Sequence, residues 1–213
     1  MKRNTLVLLF ILILLPLKSQ NKSAWDAQWI THPQADLLNY GVFHFRKTIF
    51  LNEKPTTFPV RISADNKYKL FVNGNYVSSG PVLGDANNWF YDSIDLAPFL
   101  QNGENTIAAL VWNFGNRKGE NQISMKSAFI MQAENNSQKD VNTDNRWKVE
   151  QNNAYSPKTI LKSDGTGYLV IGCGDSIDGN KNNWRWKTAA TENWNNVKTL
   201  EKGNPKGFGS GCT

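Results

Sequence analysis

Polar and apolar side chains alternate from Lys67 to Val72, the period-two pattern of a strand with one face in a core and one in water. Asn73-Gly74 follows, the pair that best tolerates positive φ in a two-residue turn, so the chain to Gly80 runs back as a tight hairpin. Tyr40 to Leu51 reads as a longer strand, with Phe43, Phe45, Ile49 and Leu51 on one face and His44 and Arg46 on the other. Val60 to Ala64 resumes β structure after Pro55 and Pro59. Thr106 to Phe114 is apolar on both faces, as a central strand would be, and Ile123 to Ala133 predicts another long strand. Arg146 to Val149 pairs briefly, and Tyr168 to Cys173 closes the series. Asp95 to Leu100 predicts one helical turn ended by Asn102-Gly103.

Between these elements lie a polar loop from Asn135 to Asn145, a loop from Ala154 to Thr159 and a Gly/Asn-rich stretch from Asp175 to Asn183. The tail from Gly203 to Thr213 carries four glycines and has no apolar periodicity. There is no internal repeat and no long amphipathic helix. The class is all-β: a two-sheet antiparallel jelly-roll sandwich with an irregular C-terminal tail. Trp25 and Trp29, in the segment that leads into it, are expected to pack both indoles on the sandwich.

Lys2 and Arg3 precede an unbroken apolar run from Leu6 to Leu15, then Pro16 and the small residue Ser19. This predicts a signal peptide over 1–19, because a bilayer span needs about 20 apolar residues. No Cys follows the run as a lipid attachment site. The expected organisation is a β-sandwich domain over 24–173 and an extension or linker over 174–213. The expected location is secreted or periplasmic, with no membrane contact after cleavage.

The formal charge of +6 includes Lys2, Arg3 and Lys18; without them 21 basic residues face 18 acidic ones. Those that remain are scattered rather than clustered on a basic run, which argues against nucleic acid as a partner. Eight tryptophans together with plentiful Asn, Gly and Tyr suit exported proteins that handle carbohydrate, and equally suit β-rich secreted domains. Cys173 and Cys212 could pair in an oxidising compartment, but Cys212 is the penultimate residue of the Gly-rich tail. Cys173 reads instead as a small apolar residue at the end of a strand. The two histidines stand without a nucleophile motif, and no Gly-x-Ser-x-Gly, His-Glu-x-x-His or phosphate loop occurs.

Candidate site residues are few. Asp65 and Asn66 precede a strand, where they could ligate a sugar or calcium at the sandwich rim; turn chemistry is the stronger reading. Trp89 and Tyr91 share a face, to stack on a sugar ring or to fill the core. Asp92 and Asp95 suit capping of the turn that follows. Trp184 and Trp186 flank Arg185 after a polar loop, and are the best candidates for exposed aromatics at a sugar site or a domain interface. Asp175, Asp178 and Asn180 could hold calcium, though their spacing misses the EF-hand loop. No cofactor is otherwise implied.

Taken in order, these residues resemble the N-terminal β region of bacterial α-L-rhamnosidases. The resemblance is carried by Trp25-x-x-x-Trp29-Ile30, Phe43-x-Phe45-Arg46-Lys47, Ala64-Asp65-x-x-Tyr68-x-Leu70-x-Val72-Asn73-Gly74 and Gly80-Pro81. It continues through Trp89-x-Tyr91-Asp92-x-x-Asp95-Leu96, Gly103-x-Asn105-x-Ile107, Trp184-x-Trp186 and Trp194 to Gly203. The hairpin itself is common to galactose-binding-like sandwiches. Such enzymes invert at the anomeric carbon with two acidic residues held in a helical barrel C-terminal to the β domains. No position here matches those catalytic motifs, so the resemblance implies no catalytic residue in this chain. It implies a non-catalytic module that binds or positions rhamnose-containing glycans or docks on a glycosidase catalytic domain; the alternative is an enzyme fragment with no independent function.

Overall fold

The computed structural model describes residues 25–82, 84–85, 89–120, 122–158 and 172–204. Two antiparallel sheets face one another. One has five strands in the order β13 (Lys198–Lys202), β1 (Gln28–Thr31), β8 (Phe129–Ala133), β3 (Pro59–Ala64) and β6 (Asp92–Asp95). The other has six: β12 (Asn195–Asn196), β9 (Lys148–Gln151), β2 (Gly41–Leu51), β7 (Gly103–Asn113), β4 (Lys67–Val72) and β5 (Asn75–Gly80). The expected all-β sandwich is what forms.

Alternation decides which side chains face inward. Val60, Ile62 and Ala64 of β3 and Phe129, Met131 and Ala133 of β8 meet Phe43, Phe45 and Ile49 of β2 and Tyr68, Leu70 and Val72 of β4 in one core. The β4–β5 hairpin turns at Asn73 (φ 52°) and Gly74 (φ 80°), as the Asn-Gly pair predicts. Asn73 does more than turn. Its amide donates to the Phe99 carbonyl at 3.0 Å and to Asn105 Oδ1 at 2.9 Å, and its Oδ1 accepts from the Thr106 N–H at 2.9 Å. The expected helical turn is a 3₁₀ turn at Ala97–Phe99, but its N-cap is Leu96, which makes no side-chain capping bond; Asp95, one residue earlier, accepts at Oδ1 from the Ala97 and Phe58 N–H groups. Asp92 instead accepts the Tyr68 hydroxyl at 2.5 Å.

Two expected elements are corrected. The strand placed at Ile123–Ala133 begins only at Phe129. Residues 123–126 give their backbone groups to side chains: Met125 and Lys126 N–H to Asp65 Oδ1, and the Ile123 carbonyl to the Asn66 amide. Ala154–Thr159 is not all loop, since Tyr155–Lys158 forms β10 and pairs with β11 (Gly174–Ile177). Most of the strand expected at Tyr168–Cys173, and Cys212, lie outside the described residues; Cys173 itself precedes β11 and carries a free thiol.

Nor does the sandwich end at residue 173. β12 joins the edge of the six-stranded sheet and β13 joins β1 in the other, with Val197 in the core between them. Residues 195–202 therefore stitch both sheets together. The sequence hides this because Asn195, Asn196 and Lys198 are exposed edge residues with no apolar alternation to announce a strand.

Candidate functional site

The outward-facing positions of the five-stranded sheet collect aromatic and polar groups. Arg61 and Ser63 alternate with the inward residues of β3, and Ile130 and Gln132 with those of β8. Trp25 and Trp29 pack there with Ala128 and Ile130, both indoles nearly buried, as the sequence predicts. The segment 89–91 lies across them. The Ser63 hydroxyl donates to the Phe90 carbonyl at 2.7 Å, and Trp89 Nε1 donates to the Ala64 carbonyl at 3.2 Å. Tyr91 meets Trp25 edge-on at a centroid distance of 5.4 Å.

A cleft results, walled by Trp25, Trp29, Trp89, Phe90 and Tyr91. It encloses about 30 Å³, so a sugar would lie on it rather than within it. Phe90 is 51% and Tyr91 42% exposed, leaving apolar ring surface at the mouth. Beside it opens a polar groove of about 310 Å³ that shares the Trp25 wall and is lined by Asp26, Arg61, Glu134 and Asn136. The Arg61 guanidinium joins the two, 5.5 Å over the Tyr91 ring and 3.1 Å from Glu134 Oε1. Aromatic faces beside fixed hydrogen-bonding groups are the chemistry that holds a sugar: C–H faces stack on rings, and hydroxyls meet the polar edge.

Of the residues singled out in the sequence, Trp89 and Tyr91 line this cleft together with Trp25 and Trp29, and the others are elsewhere. Asp65 and Asn66 are buried at the corner where β3 crosses to β4 between sheets. Asp65 accepts from the Ser124 hydroxyl at 2.5 Å and from Met125 N–H at 2.8 Å, while Asn66 accepts from Phe114 N–H at 2.7 Å. These contacts reach across the fold rather than to their own turn, and they fasten a loop. Burial pushes the Asp65 carboxyl up to about 6, against those hydrogen bonds, which pull it down.

Trp184 is exposed as expected, at 68%. Trp186 is not, and that expectation is corrected. Its ring lies on the His44 imidazole at 4.0 Å and 3° and edge-on to Phe71, closing the outer face of the six-stranded sheet. The alternation that places His44 outward was legible; what covers it comes from 142 residues further on in the chain, beyond any local pattern. Asp175 accepts from the Tyr40 hydroxyl and from Trp112 Nε1, and Asp178 from Asn180 N–H. Among the described residues no three His, Cys, Asp or Glu side chains converge as a metal cage. Arg61, Glu134 and Asn136 were missed: Arg61 was visible as an outward position of β3, but its neighbours come from a loop edge with no periodic signal.

No protein-family profile and no curated protein matches the sequence. Solved structures do. A GH78-family rhamnosidase from Bacillus sp. GL1 overlays 84% of this chain with a TM-score of 0.73 and 26% identity, using 19% of its own length. The chain resembles one region of the α-L-rhamnosidases. The α-L-rhamnosidase from Dictyoglumus thermophilum overlays 86% of the chain with a TM-score of 0.63 and 19% identity, over 22% of its length. This chain thus spans about a fifth of the rhamnosidases it matches. The apo lectin of Pleurotus ostreatus shares the fold over 87% of this chain and 46% of its own, with a TM-score of 0.51 and 19% identity. The resemblance read from the ordered motifs is borne out by these overlays.

Proposed function

We propose that the chain is a non-catalytic module of an α-L-rhamnosidase-like glycoside hydrolase, exported from the cytoplasm, that holds rhamnose-containing glycans on the outer face of its five-stranded sheet. The observation that supports this most directly is the overlay of 84% of the chain on about a fifth of a rhamnosidase. A Pleurotus ostreatus lectin of similar fold was solved with GalNAc, which favours a sugar over other ligands for such a sandwich. The aromatic cleft and the Arg61–Glu134 groove supply the recognition chemistry. Docking on a catalytic domain is a second reading, favoured by exposed Trp184 just past β11, where its Nε1 donates to the Gly179 carbonyl at 3.3 Å.

Titration of the purified chain with L-rhamnose and a rhamnosyl oligosaccharide, with and without calcium, tests the reading. Binding heat and a rise in Tm are expected, and Tyr91→Ala is expected to weaken binding about fivefold to tenfold, the scale of one aromatic contact. Neither heat nor shift would leave the chain a fragment without independent binding. Release of aryl alcohol from an aryl α-L-rhamnoside by the chain alone would overturn its non-catalytic assignment.

A further inference from the structure

A second recess opens on the opposite sheet. β9 pairs with β2 only from Phe43 to Arg46, while β2 continues to Leu51, so among the described residues no strand lies beside the lower part of β2 on that flank. The space left is about 300 Å³ and is lined by four cations, Arg46, Lys47, Arg146 and Lys148. We propose that this recess binds the carboxylate of an acidic sugar residue. The saccharide part of the proposal rests on the glycan-binding reading above; the anion part rests on the recess alone.

The charges there are unevenly matched. Asp144 serves two cations, at 3.4 Å from Lys47 Nζ and 2.7 Å from Arg146 Nη2, and Asp140 accepts from Arg146 Nη1 at 2.5 Å. Lys148 Nζ donates to the neutral Asn196 Oδ1 at 2.7 Å. Arg46 is only 8% exposed and spends Nη1 on the carbonyls of Trp186 and Ala189, with Trp194 6.0 Å from its guanidinium carbon. Glu104 and Glu192 act on Arg46 through space, but among the described residues no carboxylate reaches ion-pair distance of its guanidinium. A guanidinium taken this far out of water needs an anionic partner more than an exposed one does. Its remaining N–H edge suits a carboxylate, which it can hold through two parallel hydrogen bonds, with Lys148 as the second cation.

The rest of the lining narrows the ligand. Thr48 and Thr191 add hydroxyls able to donate to and accept from a sugar's own hydroxyls. The volume is at the lower end for small-molecule sites and accommodates about one ring. A polyanionic strand would instead meet Asp140 and Asp144, which break up the positive surface.

Galacturonic acid and galactose differ at one position, the C6 carboxylate, and are the decisive pair of probes. Calorimetric titration of the intact chain at low ionic strength is expected to show galacturonate binding at least about tenfold tighter than galactose. That preference is expected to shrink at 150 mM salt, as charge pairing is screened. Lys148→Glu, on a partly exposed side chain, is expected to weaken galacturonate about tenfold while leaving Tm and rhamnose binding unchanged. Arg46→Lys is the second variant, keeping the charge and losing the paired hydrogen bonds. Equal affinity for the two sugars, or no binding of galacturonate by a folded chain that binds rhamnose, overturns the proposal. Inorganic sulfate displacing galacturonate at equal concentration would show an ion site without sugar recognition and overturn it too. A chain that binds galacturonate but not rhamnose would retain this recess and discard the rhamnose site on the other sheet.

Discussion

Asp65 shows how one residue's surroundings replace the role its position advertises. Beside Asn66 and before a strand, it has the signature of a turn residue or a rim ligand, yet the β3–β4 crossover buries it to 2% exposure. Its oxygens hold the 124–126 loop against the sandwich end. Because burial raises its folded pKa to about 6, the folded chain keeps a proton that the unfolded chain releases near 4. The stabilisation linked to that proton is complete only below about pH 4 and is lost as pH rises through about 6. Unfolding free energy from urea titrations is therefore expected to fall by about 2–3 kcal/mol more in the native chain than in Asp65→Asn between pH 4 and pH 7. The Asn variant keeps an acceptor for both N–H groups and carries no titrating proton. Identical pH profiles for the two proteins would contradict the assignment.

At the scale of elements, the segment after β11 is a cover for the outer face of the six-stranded sheet. Trp186 and Trp194 bury His44, and Trp112 meets Tyr155 edge-on at 6.1 Å on the same face. The Thr188 side chain reaches the hairpin, where its Cγ2 would lie 3.2 Å from a Cβ at Gly74. Trp186→Ala removes a large buried ring and is expected to cost about 3–4 kcal/mol in urea unfolding. Trp184→Ala, two residues away on an exposed ring, is expected to stay within about 0.5 kcal/mol. Gly74→Ala puts a side chain at φ 80° and is expected to cost about 1–2 kcal/mol. Equal losses at Trp184 and Trp186 would refute the cover.

The whole molecule is held together by its C-terminal strands as much as by the central hairpin. β13 forms an edge of one sheet, β12 an edge of the other, and the Trp25 N–H donates to the Gly203 carbonyl at 3.0 Å. Residues 25–204 are thus expected to unfold in one transition, with near-UV ellipticity and tryptophan fluorescence coinciding. A truncation after residue 173 is expected to lose that transition, since it removes both edge strands and uncovers His44 and Val42. A truncated chain with the native Tm would place the domain boundary back at 173.

By itself the sequence determined the class of fold, its central strands and its hairpin. Those features are local: alternation from Lys67 to Val72, doubly apolar Thr106–Phe114 and Asn73-Gly74 at the turn each act within a few residues. The ordered motifs also carried the likeness to rhamnosidases. Tertiary structure alone decided which aromatic residues are buried and where charge collects. Trp184 and Trp186 have the same local setting, and only the sheet beneath separates an exposed ring from a buried one. The Tyr91–Arg61 face and the Arg46 recess are likewise assembled from strands and loops far apart in the chain, so no window of sequence contains them.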